Sequence, residues 1–216
     1  MDRRALDKAR SRFRVAKQSV AKLRGCNSFT EFSDNWYVFL VAWKNIYTIL
    51  EQGVKTKAQS RQWFGSKKQE RRGDALLQYL FEARNDEEHG LDNTLNLQPE
   101  KHDIGLAGDG ASRVVRIDGG PFRNCISVGA GRAALSVEGE VPNDIRVTSL
   151  DGKPVKYRFT PQKIVLSPIS ARGRRTYNPP AEHLGDKIQD NSPIIVAAAA
   201  IDYMSSLLEE AERTLA

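Results

Sequence analysis

The sequence predicts an α+β protein, a helical bundle with a small antiparallel β appendage inserted before the last helix. Three observations carry that prediction. Apolar residues recur at spacings of 3 and 4 through residues 3–89 and again beyond residue 193, which is the helical period. Between residues 104 and 169 the period gives way to short β-rich runs and the turn-forming pairs Asp109-Gly110, Asp118-Gly119 and Asp151-Gly152. With 216 residues, 40% apolar and 28% charged, the chain is large enough to bury a core and has the composition of a folded protein.

The first helix is expected over residues 3–24, where Leu6, Ala9, Phe13, Ala16, Val20 and Leu23 form a narrow apolar stripe on a basic cylinder. Gly25 should end it. Ser28 and Glu31 make an S-x-x-E capping box for a second helix. Its stripe is Phe32, Trp36, Phe39, Trp43, Ile46 and Leu50, read as bundle core because the rings share one face, and Gly53 closes it. Residues 54–73 read as a short helix, or as a loop that tucks Trp63 and Phe64 inward. Asp74 should cap a third long helix through Leu76, Leu77, Leu80 and Ala83 to His89, followed by Gly90.

Strands are expected at 112–117, 122–128, 133–137, 144–150, 155–160 and 163–169. Gly105, Gly108 and Gly110 read as turns, since they lack the spacing and context of a dinucleotide fingerprint. Residues 170–192, with Arg172, Arg174, Arg175, Pro179 and Pro180, read as an irregular loop. Ser192-Pro193 starts the last helix, with Ile194, Ala198, Ile201, Ser205 and Leu208 on one face and small alanines allowing close approach. The expected organisation is a bundle over 1–103, a β domain or insertion over 104–169, a loop over 170–192, and a returning helix over 193–216.

Charge alternates strongly within the net +6: residues 1–24, 55–72 and 104–181 carry +7, +6 and +6, and the segments after each carry −2, −6 and −5. Either oppositely charged helices pack together and cancel, or the basic blocks form a phosphate-holding face. The longest apolar runs, Trp36–Trp43 and Ile194–Ile201, fall far short of the ~20 residues that span a bilayer. The basic start lacks a signal-peptide apolar segment and is read as a helix rather than a transit peptide. Two cysteines, Cys26 and Cys125, exclude a disulfide framework, and with three histidines they argue against a zinc site, so the expected home is the cytoplasm.

One stretch carries recognisable chemistry. Arg84-Asn85-Asp86-Glu87-Glu88-His89 reads R-N-x-x-x-H at the end of an amphipathic helix. Here the chain resembles the HEPN superfamily of helical-bundle proteins, over residues 1–103 and the last helix. The resemblance implies metal-independent endoribonuclease activity, of the toxin or phage-defence kind, or RNA binding without cleavage. It also implies a homodimer that pools Arg84 and His89 from two copies. The residue types suit RNA cleavage by the 2′-hydroxyl. His89 can move a proton near neutral pH, Arg84 can grip phosphate oxygens, and Asn85 can bond the phosphate or orient the imidazole. No metal or other cofactor is called for.

On an ideal helix Arg84 and His89 stand about 140° apart, which favours two copies facing each other. Lys67, Lys68, Arg71 and Arg72 are the candidate RNA-backbone contacts. A structural reading of the same residues pairs Arg84 with Glu88 and sets His89 against the helix dipole. The alternative function is a catalytically silent dimer whose β segment recognises a protein partner. A pocket between bundle and sheet that senses a small molecule has no direct support in the sequence. His102 reads as exposed, and His183 as a loop or supporting residue without a mechanism.

Overall fold

Among the described residues, side-chain caps start three of the five α-helices. In the computed structural model, which describes residues 1–90, 93–106, 113–119, 122–129, 134–138, 146–149, 155–171 and 175–214, these caps are Asp2, Ser28 and Asp74. Asp2 accepts from the Arg4 N–H and opens α1 (Arg3–Leu23). Ser28 Oγ accepts from the Glu31 N–H at 3.1 Å and opens α2 (Phe29–Gly53), while Glu31 reaches back to the Asn27 N–H rather than to that of Ser28. A short 3₁₀ turn, Val54–Thr56, leads into α3 (Ala58–Gly73). Asp74 then opens α4 (Ala75–His89), accepting from the Leu77 N–H at 2.8 Å. Pro193 sits in the first turn of α5 (Pro193–Arg213).

The chain forms two units, one of residues 1–96 with 164–216 and one of residues 97–163. In the helical unit α1 and α2 pack as a hairpin, α5 lies along α1, and α4 lies against α2. Their close approach needs Gly53, where a Cβ would come within 2.4 Å of the Ala5 Cβ. Every residue of the expected α2 stripe is buried, as are Leu76, Leu77, Leu80 and Ala83 of α4. Phe13 is only partly covered, and the first helix buries Ser19 as well. Residues 54–73 are predominantly helix, with Phe64 buried and Trp63 half-buried.

The buried face of α5 differs from the expected one. It comprises Val196, Ala197, Ala200, Tyr203, Met204, Leu207, Leu208 and Ala211, so only Leu208 is shared. Ile194 to Ile201 is apolar all round and cannot select a face. Tyr203, whose hydroxyl donates to Glu70 Oε1 at 2.7 Å, and the acidic residues farther along the helix do so.

Strands begin earlier than expected. β1 (Leu95–Gln98) lies within the stretch read as bundle and β2 (Lys101–Leu106) begins in it, and Gly105 is in a strand rather than a turn. In the second unit β2 is the centre of an antiparallel sheet, with β5 (Ala134–Glu138) and β7 (Val155–Thr160) at its sides. A second sheet centres on β3 (Arg113–Gly119), between β4 (Phe122–Gly129) and β6 (Arg146–Ser149). Its register shifts between Ile117 and Gly119, at one of the expected Asp-Gly turns. Asp109-Gly110, Asp151-Gly152, Gly108, Arg172 and Arg174 lie outside the described residues, as does the His102 side chain.

β1 pairs with β8 (Lys163–Leu166), and Leu95 and Leu166 join the helical core. The stretch expected to be an irregular loop instead continues as short strands. β9 (Ile169–Ala171) pairs with β10 (Arg175–Tyr177), and β11 (Glu182–His183) pairs with β12 (Asp186–Lys187). Prolines punctuate this stretch without forbidding two-residue pairings between them. The β11–β12 turn places Leu184 at φ 51° and Gly185 at φ 89°, a left-handed pair that suits glycine but strains leucine. Asp74 offsets that strain, since its Oδ2 accepts from the Leu184 N–H at 2.7 Å while Oδ1 meets His183 Nδ1 at 3.0 Å.

Burial pushes the Asp74 carboxyl up, but hydrogen bonds from His183, Leu184 and Leu77 outweigh it and hold the group below the usual carboxylate range. The stability it contributes is therefore present above the unfolded value near 3.8 and fades as pH falls through the lower folded value. Asp74→Ala should destabilise the protein by about 2–4 kcal/mol at neutral pH, through a lost cap and unpaired buried donors. Denaturation of wild type and Asp74→Asn across pH should show their stability gap shrinking as acid protonates Asp74. A gap independent of pH would contradict this assignment.

Candidate nucleic-acid interface

The R-N-x-x-x-H stretch is helical to its last residue, because α4 runs through His89 and Gly90 closes it with its N–H on the Asp86 carbonyl at 2.6 Å. A Cβ at Gly90 would lie 2.7 Å from the Asp86 backbone carbonyl oxygen, so this close ending favours glycine. Arg84 and His89 consequently occupy one continuous helix. The Arg84 side chain is 17% exposed and that of His89 67%. A single copy therefore offers His89 to solvent while holding Arg84 against the bundle.

Each motif residue has a defined set of neighbours. Arg84 Nη2 pairs with Glu88, one turn ahead, while its buried Nε–H finds no hydrogen-bond partner among the described residues. Asn85 Oδ1 accepts from Lys44 Nζ of α2, and Asn85 Nδ2 donates to Glu82 Oε2 at 3.1 Å. Glu87 is turned to structural work: it accepts from the hydroxyl and N–H of Thr94, and Thr94 Oγ1 accepts from Trp36 Nε1 at 3.0 Å. Glu82, Glu87 and Glu88 thus face named partners, and His89 Nε2 lies 3.8 Å from Glu88 Oε2.

The four candidate phosphate contacts on α3, Lys67, Lys68, Arg71 and Arg72, separate by helical face. Lys67 is held between Glu70 Oε2 at 3.3 Å and Glu210 Oε1 at 3.0 Å. Lys68 pairs with Glu51 at 2.7 Å. The Arg71 guanidinium lies over two rings, 4.1 Å from the Phe81 centroid and 5.2 Å from that of Tyr47. Arg72 is exposed. Lys67 and Lys68 are therefore already matched by carboxylates within the chain.

The folded chain adds one cation that no linear pattern marked. Lys44 Nζ stands 4.7 Å from the Phe81 centroid, so Lys44 and Arg71 share one ring while Arg84 stands near enough to act on Lys44 electrostatically. Burial lowers the Lys44 ammonium from its ordinary value, and Arg84 and Arg71 push it the same way against Glu88 and Glu82. Burial likewise lowers Arg71, with Arg72 adding repulsion and Tyr47 opposing it. Three cations from three helices thus crowd one polar patch that contains Asn85. The only sequence signal for Lys44 was its isolation, as the sole Lys or Arg in residues 25–54.

Among the described residues no three His, Cys, Asp or Glu side chains gather as a metal-holding group, and no helix is long and apolar enough to cross a membrane. No family model, curated protein or solved structure matches the chain. The chemistry of the patch itself therefore carries the functional reading.

Stacking of a guanidinium on two rings yields a stability prediction. Arg71→Ala should cost about 1–2 kcal/mol in chemical denaturation, and Arg71→Lys should recover only part, because an ammonium lacks the planar face. An unchanged midpoint in Arg71→Ala would show that the guanidinium contributes nothing to the fold.

Proposed function

We propose that the protein is an HEPN-like RNA-binding homodimer that cleaves RNA without a metal ion, in the manner of toxin or phage-defence endoribonucleases. One observation carries this reading: Arg71 and Arg84 both repel the Lys44 ammonium beside Phe81 and Asn85, with exposed His89 at the end of the helix that carries Arg84. An anion entering this patch relieves that repulsion. It also supplies an acceptor for the buried, unpaired Arg84 Nε–H. Phosphate is the anion that bidentate arginine recognition fits, and Glu88 is the internal counterion it displaces.

In the reaction the 2′-oxygen attacks phosphorus, the P–O5′ bond breaks, and a 2′,3′-cyclic phosphate and a 5′-hydroxyl form. His89 of one copy accepts the 2′-hydroxyl proton, and a second copy returns a proton to the leaving 5′-oxygen. Arg84 stabilises the charge that grows on the non-bridging oxygens. Arg71, Arg72 and Lys44 hold neighbouring phosphates. Lys67 and Lys68 contribute only after leaving their carboxylates.

A specific observation favours a second reading. Arg84 is engaged by Glu88, and Asn85 is held between Lys44 and Glu82. If those contacts persist when RNA binds, the dimer is catalytically silent and the β segment serves a partner protein.

His89→Ala should abolish cleavage of a panel of single-stranded and structured RNAs while leaving the melting midpoint unchanged, since the side chain is largely exposed. A chelator should leave wild-type cleavage intact. Equal cleavage by the variant removes His89 from catalysis, and strict dependence on a divalent ion overturns the metal-free mechanism. RNA binding without cleavage by wild type selects the silent reading.

Salt dependence separates the backbone contacts. Lys44→Gln with Arg72→Gln should flatten the log–log plot of RNA affinity against salt by about 1.4, at ~0.7 per single-strand contact. Lys67→Gln with Lys68→Gln should change the slope little. Equal flattening by both pairs would show that the ion-paired lysines are phosphate contacts too.

A further inference from the structure

We infer that a cavity of about 520 Å³ between α3, α5 and the β11–β12 turn binds an aliphatic ammonium or guanidinium group. It lies wholly within the helical unit and shares no lining residue with the R-N-x-x-x-H stretch. Its polar lining includes Lys67, Glu70, His183, Asp202, Tyr203 and Glu210. Its volume is in the range of small-ligand sites, roughly 300–1,000 Å³.

These groups are held in place from behind. Lys67 Nζ bridges Glu70 and Glu210, Glu210 Oε2 accepts from Trp63 Nε1 at 3.1 Å, and the Tyr203 hydroxyl donates to Glu70. Tyr47 in turn donates to the Tyr203 oxygen at 3.1 Å, so the Glu70 end of the network is anchored in the α2 core. His183 packs edge-on against Tyr203 with ring centroids 5.7 Å apart, and Asp74 fixes it from the opposite element. Such fixed donors and acceptors bind a ligand with little loss of side-chain freedom.

The lining selects the ligand class. It sets three carboxylates against one ammonium, which leaves an excess of negative charge and of acceptors, while His183 is engaged by Asp74 through Nδ1. An anion is repelled there, whereas an ammonium or guanidinium satisfies both the charge and the acceptors. Leu184, Ala199 and Leu207 supply apolar wall for an alkyl stem.

Such a cation can be a free amine or a lysine or arginine side chain on a peptide. Isothermal titration of the full chain with putrescine, with a blocked lysine-containing pentapeptide, and with butane-1,4-diol distinguishes these sources. Saturable binding of putrescine or of the peptide, with no binding of the diol, is the expected result, and whichever binds identifies the source. Asp202 is exposed on α5, so Asp202→Asn should leave the melting midpoint unchanged while weakening that binding by about three- to tenfold. The inference is overturned if neither cation binds, if the diol binds as tightly, or if Asp202→Asn binds as wild type does.

Discussion

The Asp74 carboxylate is the contact on which both candidate sites depend. It starts α4 by capping the Leu77 N–H, and it ties that helix end to the β11–β12 turn through His183 and Leu184. The helix it starts delivers Arg84, Asn85 and His89. The turn it holds presents His183 to the cavity beside α5. A short acidic side chain suits this position because it offers two oxygens to three donors that converge at one helix N-terminus. The hydrogen bonds outweigh the cost of burying the charge, and the strained leucine at φ 51° is retained because its N–H is one of those donors.

Among the described residues, part of the charge alternation is cancelled by pairing between segments. Arg10 meets Glu212 at 2.7 Å, Lys67 meets Glu210, and Lys68 meets Glu51. Each pair joins a basic block to an acidic segment that borders it or lies at the other end of the chain. Such pairs are partly exposed and contribute little apiece, but they match Arg10, Lys67 and Lys68 of the basic blocks with carboxylates. Around Phe81, Lys44, Arg71 and Arg84 come from three different helices, with Glu88 and Glu82 beside them. The location of clustered positive charge is thus a property of packing rather than of any one basic run.

Particular elements show how much of this was legible beforehand. The α2 stripe from Phe32 to Leu50 repeats large side chains at helical spacing, which leaves one face to bury, and all six residues are buried. α5 offered no such choice over Ile194 to Ile201, so its face was set by partners on other helices. β1 and β2 were missed because Thr94 to Leu106 mixes polar residues with only a few apolar ones, a weak strand signal until a neighbouring strand pairs with it. At the candidate sites, Arg84, Asn85 and His89 were legible because they are close in sequence. Lys44 and the Asp74–His183 pair were not, since 41 and 109 positions separate the partners.

The sequence by itself determined the elements whose cause is local. The periodicity of α1, α2 and α4, the caps at Ser28 and Asp74, the Pro193 start and the change to strands follow from spacing and from each residue's own conformational preferences. Tertiary structure alone decided which charges cancel, which face of α5 is buried, and that His183 stands on Asp74 beside a cavity. Those outcomes depend on distances between segments far apart in the chain. They arise when apolar stripes pack and bring particular polar groups within hydrogen-bond reach.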